Sequence, residues 1–101
     1  EELVTRLHPT AALGGWPRQP AVHWLETQSF HESRGRFGAP FGYKDGEFML
    51  CVVAIRNVQW TGRRMKISSG CGIVSESDVL KEWNELALKR QATARSLGVE
   101  L

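Results

Sequence analysis

Three charged side chains near the carboxyl end of the sequence have the spacing of one helix face. Glu82, Glu85 and Lys89 are separated by three and four residues, so a helix places them side by side. Segment 69–74 just before them reads Ser-Gly-Cys-Gly-Ile-Val, and its glycines let the backbone approach a ligand closely. Carboxylate oxygens suit a hard cation such as Mg²⁺, and a neighbouring lysine suits an anion. This stretch is therefore a candidate site for a metal ion and an anionic ligand.

Three candidate residues, Glu85, Lys89 and Arg56, have ordinary alternatives. Glu85 and Lys89 can form a solvent-exposed ion pair along one helix, which contributes little to stability. Arg56 ends the apolar run Val-Ala-Ile at 53–55, so its guanidinium either lies in solvent or binds a substrate carboxylate through paired N–H donors. The residues alone leave both choices open.

The hydrophobic pattern predicts the elements that position these residues. We expect a loop over 7–16, a polar turn over 31–35, a hairpin turn over 44–47 and a further turn at 61–62. Ser75, Ser77 and Asp78 are candidate N-caps of the last helix, and Val79, Trp83 and Leu86 form its apolar stripe. The predicted order is a helix over 17–27, strands over 36–43, 48–58 and 63–69, and a helix over 77–96. This is an α+β fold, an antiparallel β-meander with flanking helices packed on one face.

Composition limits the class of protein. The chain has 101 residues, 42% of them hydrophobic and 24% charged, with a net charge of +2. These values fit one small soluble domain and give no reason to expect a nucleic-acid or membrane partner. We expect Cys51 and Cys71 to be reduced, packed residues of a cytoplasmic protein. Because the sequence opens on Glu1 without a leader pattern, we expect a part of a longer polypeptide.

Five segments of the sequence stand out as motifs. They are 7–18 (LHPTAALGGWPR), 33–43 (SRGRFGAPFGY), 53–56 (VAIR), 69–74 (SGCGIV) and 82–89 (EWNELALK). In this order they resemble the motifs of the chorismate-binding enzymes, and among them the isochorismate synthases. The resemblance runs from Leu7 to about Lys89, and the His-Pro-Thr at 8–10 resembles the isochorismate synthase variant of its loop.

The resemblance implies a fold, a reaction and roles for particular residues. The chain would be a C-terminal piece of the layered α/β sandwich of these enzymes, which convert chorismate to isochorismate with Mg²⁺. Water would attack C2 of chorismate while the 4-hydroxyl leaves. By this resemblance Glu85, with Glu82 near it, would be a magnesium ligand. Arg56 and the Gly70 amide would bind one substrate carboxylate, and Lys89 would bind the other anionic end. Ala12 and Leu13 would shape the pocket.

The resemblance also implies limits. The catalytic base, the catalytic acid and a first magnesium glutamate lie upstream in the family, so we expect this chain alone to be inactive. Exposed apolar surface is expected where that part would pack, together with self-association or pairing with it. Ala39, Cys71 and Leu86 depart from the family pattern. Menaquinone synthesis is the expected pathway, with siderophore or salicylate synthesis as the alternative. A different class, a non-catalytic α+β module that binds an acidic partner through Arg56 and Lys89, also stays open.

Overall fold

A computed structural model describes residues 2–28 and 34–101 of the chain. The chain divides into two compact units, Glu1–Ala54 and Ile55–Leu101. Within the described residues, the first unit carries α-helices over 2–7, 11–14 and 18–26 and a β-hairpin, and the second carries a β-hairpin and one long helix. The predicted α+β class is confirmed.

The first unit begins with three helices, and the second of them lies within the loop predicted over 7–16. These are α1 (Glu2–Leu7), α2 (Ala11–Gly14) and α3 (Arg18–Glu26). The prediction of a loop over 7–16 was wrong because α1 and α2 are too short to show an apolar period. Helix α1 is instead supported by an ion pair between Arg6 and Glu2, 2.6 Å apart. The helix predicted over 17–27 is confirmed as α3.

Two local contacts hold these helices together. Arg18 donates hydrogen bonds from Nη1 to the Arg6 carbonyl at 2.5 Å and from Nη2 to the His8 carbonyl at 2.6 Å. An arginine so placed satisfies carbonyls that the end of α1 leaves open. Gly14 lies so close to Pro9 that an added Cβ would be 2.8 Å from the proline Cγ. The Pro9 and Gly14 of the first motif therefore have a packing role.

The hairpin of the first unit pairs β1 (Pro40–Asp45) with β2 (Phe48–Val53) in antiparallel register. Gly46 lies in the turn predicted over 44–47 and has φ 58°, a conformation that glycine adopts without strain. At Gly42 a side chain would overlap the carbonyl oxygen of Leu50, so the two strands approach closely there. The strand predicted over 36–43 starts only at Pro40, and residues 31–33 of the predicted polar turn lie outside the described residues.

The second unit pairs β3 (Val58–Thr61) with β4 (Arg64–Ile67) around a turn that begins at Gly62, and ends in α4 (Val79–Ser96). The single strand predicted over 48–58 was wrong. The chain leaves the strand conformation after Val53, and Arg56 has φ 49°, which no regular strand contains. The described strands therefore form two separate two-stranded sheets, so the three-stranded meander is not observed.

Asp78 caps the long helix. Its Oδ1 accepts a hydrogen bond from the Lys81 N–H at 2.9 Å, the contact that an N-cap residue makes. Ser77 makes a different contact, because its Oγ accepts from the Val74 N–H at 2.9 Å. The helix predicted over 77–96 is confirmed as α4, with Asp78 as the cap among the three candidates. None of the described helices is long and apolar enough to span a membrane.

Two of the three residues of the predicted apolar stripe of α4 are exposed, and the third, Leu86, is half-buried. Val79 is 81% exposed and Trp83 67% exposed, whereas Ala94 is the single fully buried apolar side chain among the described residues. The face of α4 that meets the rest of the second unit carries Glu82, Lys89 and Arg90, all half-buried.

Apolar surface is exposed as well on the hairpin of the first unit. One of its faces carries Phe41, Tyr43, Phe48, Leu50 and Val52, and every one of these side chains is exposed. The predicted exposure of apolar surface is therefore observed.

Candidate functional site

Two neighbouring residues of α4 hold the glycine loop against the helix. Lys89 Nζ donates a hydrogen bond to the Gly70 carbonyl at 2.9 Å, and Arg90 Nη1 donates to Ser69 Oγ at 2.9 Å. The second bond is partly buried. Because β4 ends at Ile67 and α4 begins at Val79, these two bonds fix the connection at its start.

Lys89 also contacts the carboxylate one turn earlier. Its Nζ lies 2.5 Å from Glu85 Oε1, and the Lys89 and Glu85 side chains are 25% and 49% exposed. The predicted helical spacing of the pair is confirmed, and the ion pair that was the ordinary alternative is present. The same ammonium therefore bridges a carboxylate and a main-chain carbonyl.

Cys71 places Glu82 beside the same loop. Burial raises the pKa of the Cys71 thiol, and a hydrogen bond to the Glu82 carboxylate raises that pKa further. The charges of Glu85 and Lys89 also act on this thiol, in opposite directions. The three charged residues of the predicted helix face thus all lie near the glycine loop.

Arg56 opens onto the same concave surface as Glu85 and Lys89. The three residues line one cleft of about 640 Å³ in the second unit. Arg56 is exposed, and its side chain makes no hydrogen bond or ion pair with the other described residues. Its φ of 49° is a left-handed conformation that an arginine adopts at a cost of about 1–2 kcal/mol. The rest of the lining is mostly apolar: Val58, Leu88, Ala92, Thr93, Ser96 and Leu97.

The chemistry of this cleft suits a small anionic molecule. Arg56 offers a planar fork of donors that fits a carboxylate, and Lys89 offers a mobile point charge. Apolar side chains between them can contact the body of a ligand, as in most small-molecule sites. Both cations that were predicted from the sequence are therefore brought to one surface.

The carboxylates of α4 match part of a magnesium site. Glu85 lines the cleft and Glu82 lies one turn earlier, so both present hard oxygen donors of the kind that Mg²⁺ takes. Among the described residues there is no cluster of three histidine, cysteine or acidic side chains that could hold a metal. The donor set fits Mg²⁺ if other ligands come from water, substrate or another part of a larger site.

The other two predicted site residues belong to the first unit. Ala12 is exposed on α2, and Leu13 is half-buried and lines a cavity of about 350 Å³. Leu13 also lies near Gly38, where an added Cβ would be 3.4 Å from Leu13 Cδ2. The cavity is lined in part by His8, Pro9 and Ala39, so the first two motifs of the chain meet there.

The sequence analysis missed residues that organise the site. Ser69 and Arg90 hold the loop, and Cys71 contacts Glu82, but none of the three was given a role. Arg90 lies on the same face of α4 as Glu82, Leu86 and Thr93, because these residues are three or four positions apart, and the loop covers this face. This helical spacing is the sequence feature that could have indicated a role for Arg90. The packing predicted for Cys51 was wrong, because it is exposed, although both cysteines are free.

Comparison with known proteins identifies the family of this chain. A family model described as "Chorismate binding enzyme" matches residues 1–98. The chain belongs to the chorismate binding enzyme family. The chain is 38% identical to isochorismate synthase MenF of Bacillus subtilis over 98% of its own length. It is also 38% identical over 95% of its length to the salicylate biosynthesis isochorismate synthase of Pseudomonas aeruginosa. No solved structure matches it.

Relatives of this chorismate binding enzyme chain are much longer. The chain spans 21% of the Bacillus subtilis protein and 20% of the Pseudomonas aeruginosa protein. Isochorismate synthase EntC of Escherichia coli is 34% identical over 96% of the chain, which covers 25% of that relative. The chain therefore matches between a fifth and a quarter of each of these relatives.

Proposed function

We propose that this chain is the C-terminal segment of an isochorismate synthase, which converts chorismate to isochorismate and is in that sense an isomerase. The convergence of Arg56, Glu85 and Lys89 on one cleft carries the proposal. Support comes also from the relatives, whose names are those of isochorismate synthases. The role of this segment is to bind and orient the substrate.

Each charged residue has a distinct task in the proposed site. Chorismate carries two carboxylates, and the Arg56 guanidinium binds one of them through two parallel N–H donors, with the Gly70 amide on the same group. Lys89 neutralises the other anionic end. Glu85, with Glu82 near it, would hold Mg²⁺, which supplies positive charge to the substrate carboxylate when it is bound. Ala12 and Leu13 shape the pocket wall.

The proton transfers of the reaction are assigned to residues outside this chain. In the proposed reaction water adds at C2 of chorismate and the 4-hydroxyl leaves, which needs a base and an acid within hydrogen-bond reach. The candidate residues of the cleft are an arginine, a lysine in an ion pair and carboxylates placed for a metal. We therefore propose that the 101-residue chain by itself lacks activity and completes its site with the part that corresponds to the rest of its longer relatives.

Menaquinone synthesis is the proposed pathway, in line with the Bacillus subtilis relative named MenF. The Pseudomonas aeruginosa relative is equally similar and is named for salicylate biosynthesis, so salicylate or siderophore synthesis is the second candidate. The free thiols of Cys51 and Cys71 support a reducing location such as the cytoplasm.

Chorismate binding to the chain tests this proposal. Isothermal titration with chorismate, with and without Mg²⁺, should show binding that Mg²⁺ strengthens and that Arg56→Met weakens at least about tenfold, in keeping with loss of a bidentate charge pair. Arg95→Met is the matched control, because Arg95 lies on α4 outside the cleft and its replacement by methionine removes the same charge. Binding that responds neither to Mg²⁺ nor to Arg56→Met would favour the non-catalytic module. Chorismate turnover by the chain alone would contradict the proposed division of roles.

A further inference from the structure

We propose that Lys89 is an internal counter-ion that couples the binding of a divalent cation at Glu85 to the binding of an anion in the cleft. The inference rests on the proposed function, since it takes the cation and the anion from there. It adds that the two ligands are not independent, and it assigns the coupling to the position of one ammonium group.

The ammonium of Lys89 is held by two partners at once. Its Nζ lies 2.5 Å from Glu85 Oε1 and 2.9 Å from the Gly70 carbonyl oxygen. A lysine ammonium has three N–H donors, and two of them point to these oxygens. The Lys89 side chain is 25% exposed, which is half the exposure of Glu85. The positive charge is therefore placed on the carboxylate that is proposed to hold a metal.

A divalent cation on Glu85 would lie close to the ammonium that already contacts this carboxylate. Mg²⁺ binds a carboxylate oxygen at about 2.0–2.1 Å, so a bound ion would repel a positive charge that contacts the same oxygen. The flexible stem of Lys89 lets its charge move, and the cleft that it already lines offers an anion as the new partner. Cation binding thus frees Lys89 for the anion.

The same argument runs in the other direction. An anion that attracts the Lys89 ammonium away from Glu85 leaves that carboxylate without its counter-ion, which favours a divalent cation there. Linkage requires the two effects to be equal, so the factor by which the cation tightens the anion is the factor by which the anion tightens the cation. Arg56 holds the anion without taking part in this exchange, because it makes no ion pair with the described carboxylates.

The test measures cation affinity without any anion. Mg²⁺ is titrated into the 101-residue chain, and Mn²⁺ serves as a second probe that broadens amide NMR signals close to the bound ion. Lys89→Met should bind both cations about two- to five-fold more tightly than the parent chain, the range expected from removing a partly exposed ion pair. Lys89→Arg, which keeps the charge, should bind like the parent. Arg95→Met, ten residues from Glu85 along α4, should leave the affinity unchanged.

A second titration measures the coupling itself. Saturating chorismate should tighten Mg²⁺ binding to the parent chain, and saturating Mg²⁺ should tighten chorismate by the same factor. In Lys89→Met that factor should shrink. If the folded variant binds Mg²⁺ no more tightly than the parent, the counter-ion role is overturned while the proposed function stands. If neither protein binds the cation, the coupling is overturned, and the effect of Arg56→Met on chorismate binding still tests the proposed function by itself.

Discussion

Lys89 donates a hydrogen bond to the carbonyl oxygen of Gly70, 2.9 Å away, and so joins two residues that lie 19 positions apart in the sequence. The bond sets the glycine loop against the helix face that carries the acidic residues. Because the adjacent Arg90 bonds Ser69 as well, loop and helix form one framework. Binding residues held in this way keep their geometry before a ligand arrives, which lowers the entropic cost of binding.

Arg56→Gly should separate stability from ligand binding. Arg56 has a left-handed conformation, φ 49°, that glycine adopts without strain. The substitution therefore removes a strain of about 1–2 kcal/mol. It also costs up to about 1 kcal/mol, because glycine loses more chain entropy on folding. We expect the free energy of unfolding to rise by up to about 1 kcal/mol. Chorismate binding should fall at least about tenfold because the bidentate donor is gone. Urea denaturation and isothermal titration measure the two quantities.

Arg63→Gly is the matched control for this variant. Arg63 is an exposed arginine of the same unit, and Arg56 is the single non-glycine residue with positive φ among the described residues. Glycine therefore relieves no strain at position 63 and should lower stability by about 0.5–1 kcal/mol. An equal loss of stability in both variants would show that the backbone at Arg56 is not strained.

Ser69→Ala should loosen the loop that carries Gly70. It removes the acceptor of the partly buried hydrogen bond from Arg90, so the unfolding free energy should fall by about 0.5–1.5 kcal/mol. Ser68→Ala is the control, because Ser68 is also half-buried but makes no hydrogen bond with the described residues. A double-mutant cycle with Arg90→Met should show that the losses are not additive, and full additivity would contradict a direct bond between the two side chains.

The sequence predicted the helix that carries Glu82, Glu85 and Lys89 better than it predicted the strands. The spacing of Glu82, Glu85 and Lys89 was sufficient to place them on one helix face, because α4 is long and regular. The glycine loop could be placed beside that face because it directly precedes the helix. Both features depend on residues that are close in sequence, so they can be predicted from the sequence pattern.

The errors have a different physical origin. Residues 48–58 were predicted as one strand because they are mostly apolar. The hydrophobic pattern does not show that the backbone leaves the strand conformation and has a positive φ at Arg56. The stripe of Val79 and Trp83 was predicted from apolar spacing, and that spacing does not reveal whether a partner surface is present. Contacts of Arg90 with Ser69 and of Cys71 with Glu82 also depend on tertiary packing.

Gly14→Ala should destabilise the first unit. An added Cβ would lie 2.8 Å from Pro9 Cγ, and such overpacking costs about 1–3 kcal/mol, of which better helix propensity offsets about 1 kcal/mol. Gly72→Ala makes the same chemical change where no atom lies within 4 Å, and it should be neutral or stabilising by up to about 1 kcal/mol. Denaturation midpoints of the two variants should thus shift in different directions. A neutral Gly14→Ala would mean that Pro9 and Gly14 are not in contact.

Cys71 should react slowly with iodoacetamide near neutral pH. Burial raises the pKa of its thiol and the bond to Glu82 raises it further, so little of the reactive thiolate is present below the raised pKa. Glu82→Gln removes the negative charge, lowers the pKa and should accelerate labelling. Glu76→Gln is the control, since Glu76 is not among the groups that act on this thiol. Mass spectrometry separates Cys71 from Cys51, and equal rates for Glu82→Gln and parent would contradict the contact.

The central claim is that this chain provides the substrate-binding segment of an isochorismate synthase. The most direct measurement replaces the matching segment of Bacillus subtilis isochorismate synthase MenF, to which the chain is 38% identical, with residues 1–98. The chimera should form isochorismate from chorismate in the presence of Mg²⁺, and Arg56→Met within it should reduce kcat/KM at least about a hundredfold, as loss of a buried charge pair does. A folded chimera that forms no isochorismate, or one that is indifferent to Arg56→Met, would contradict the account.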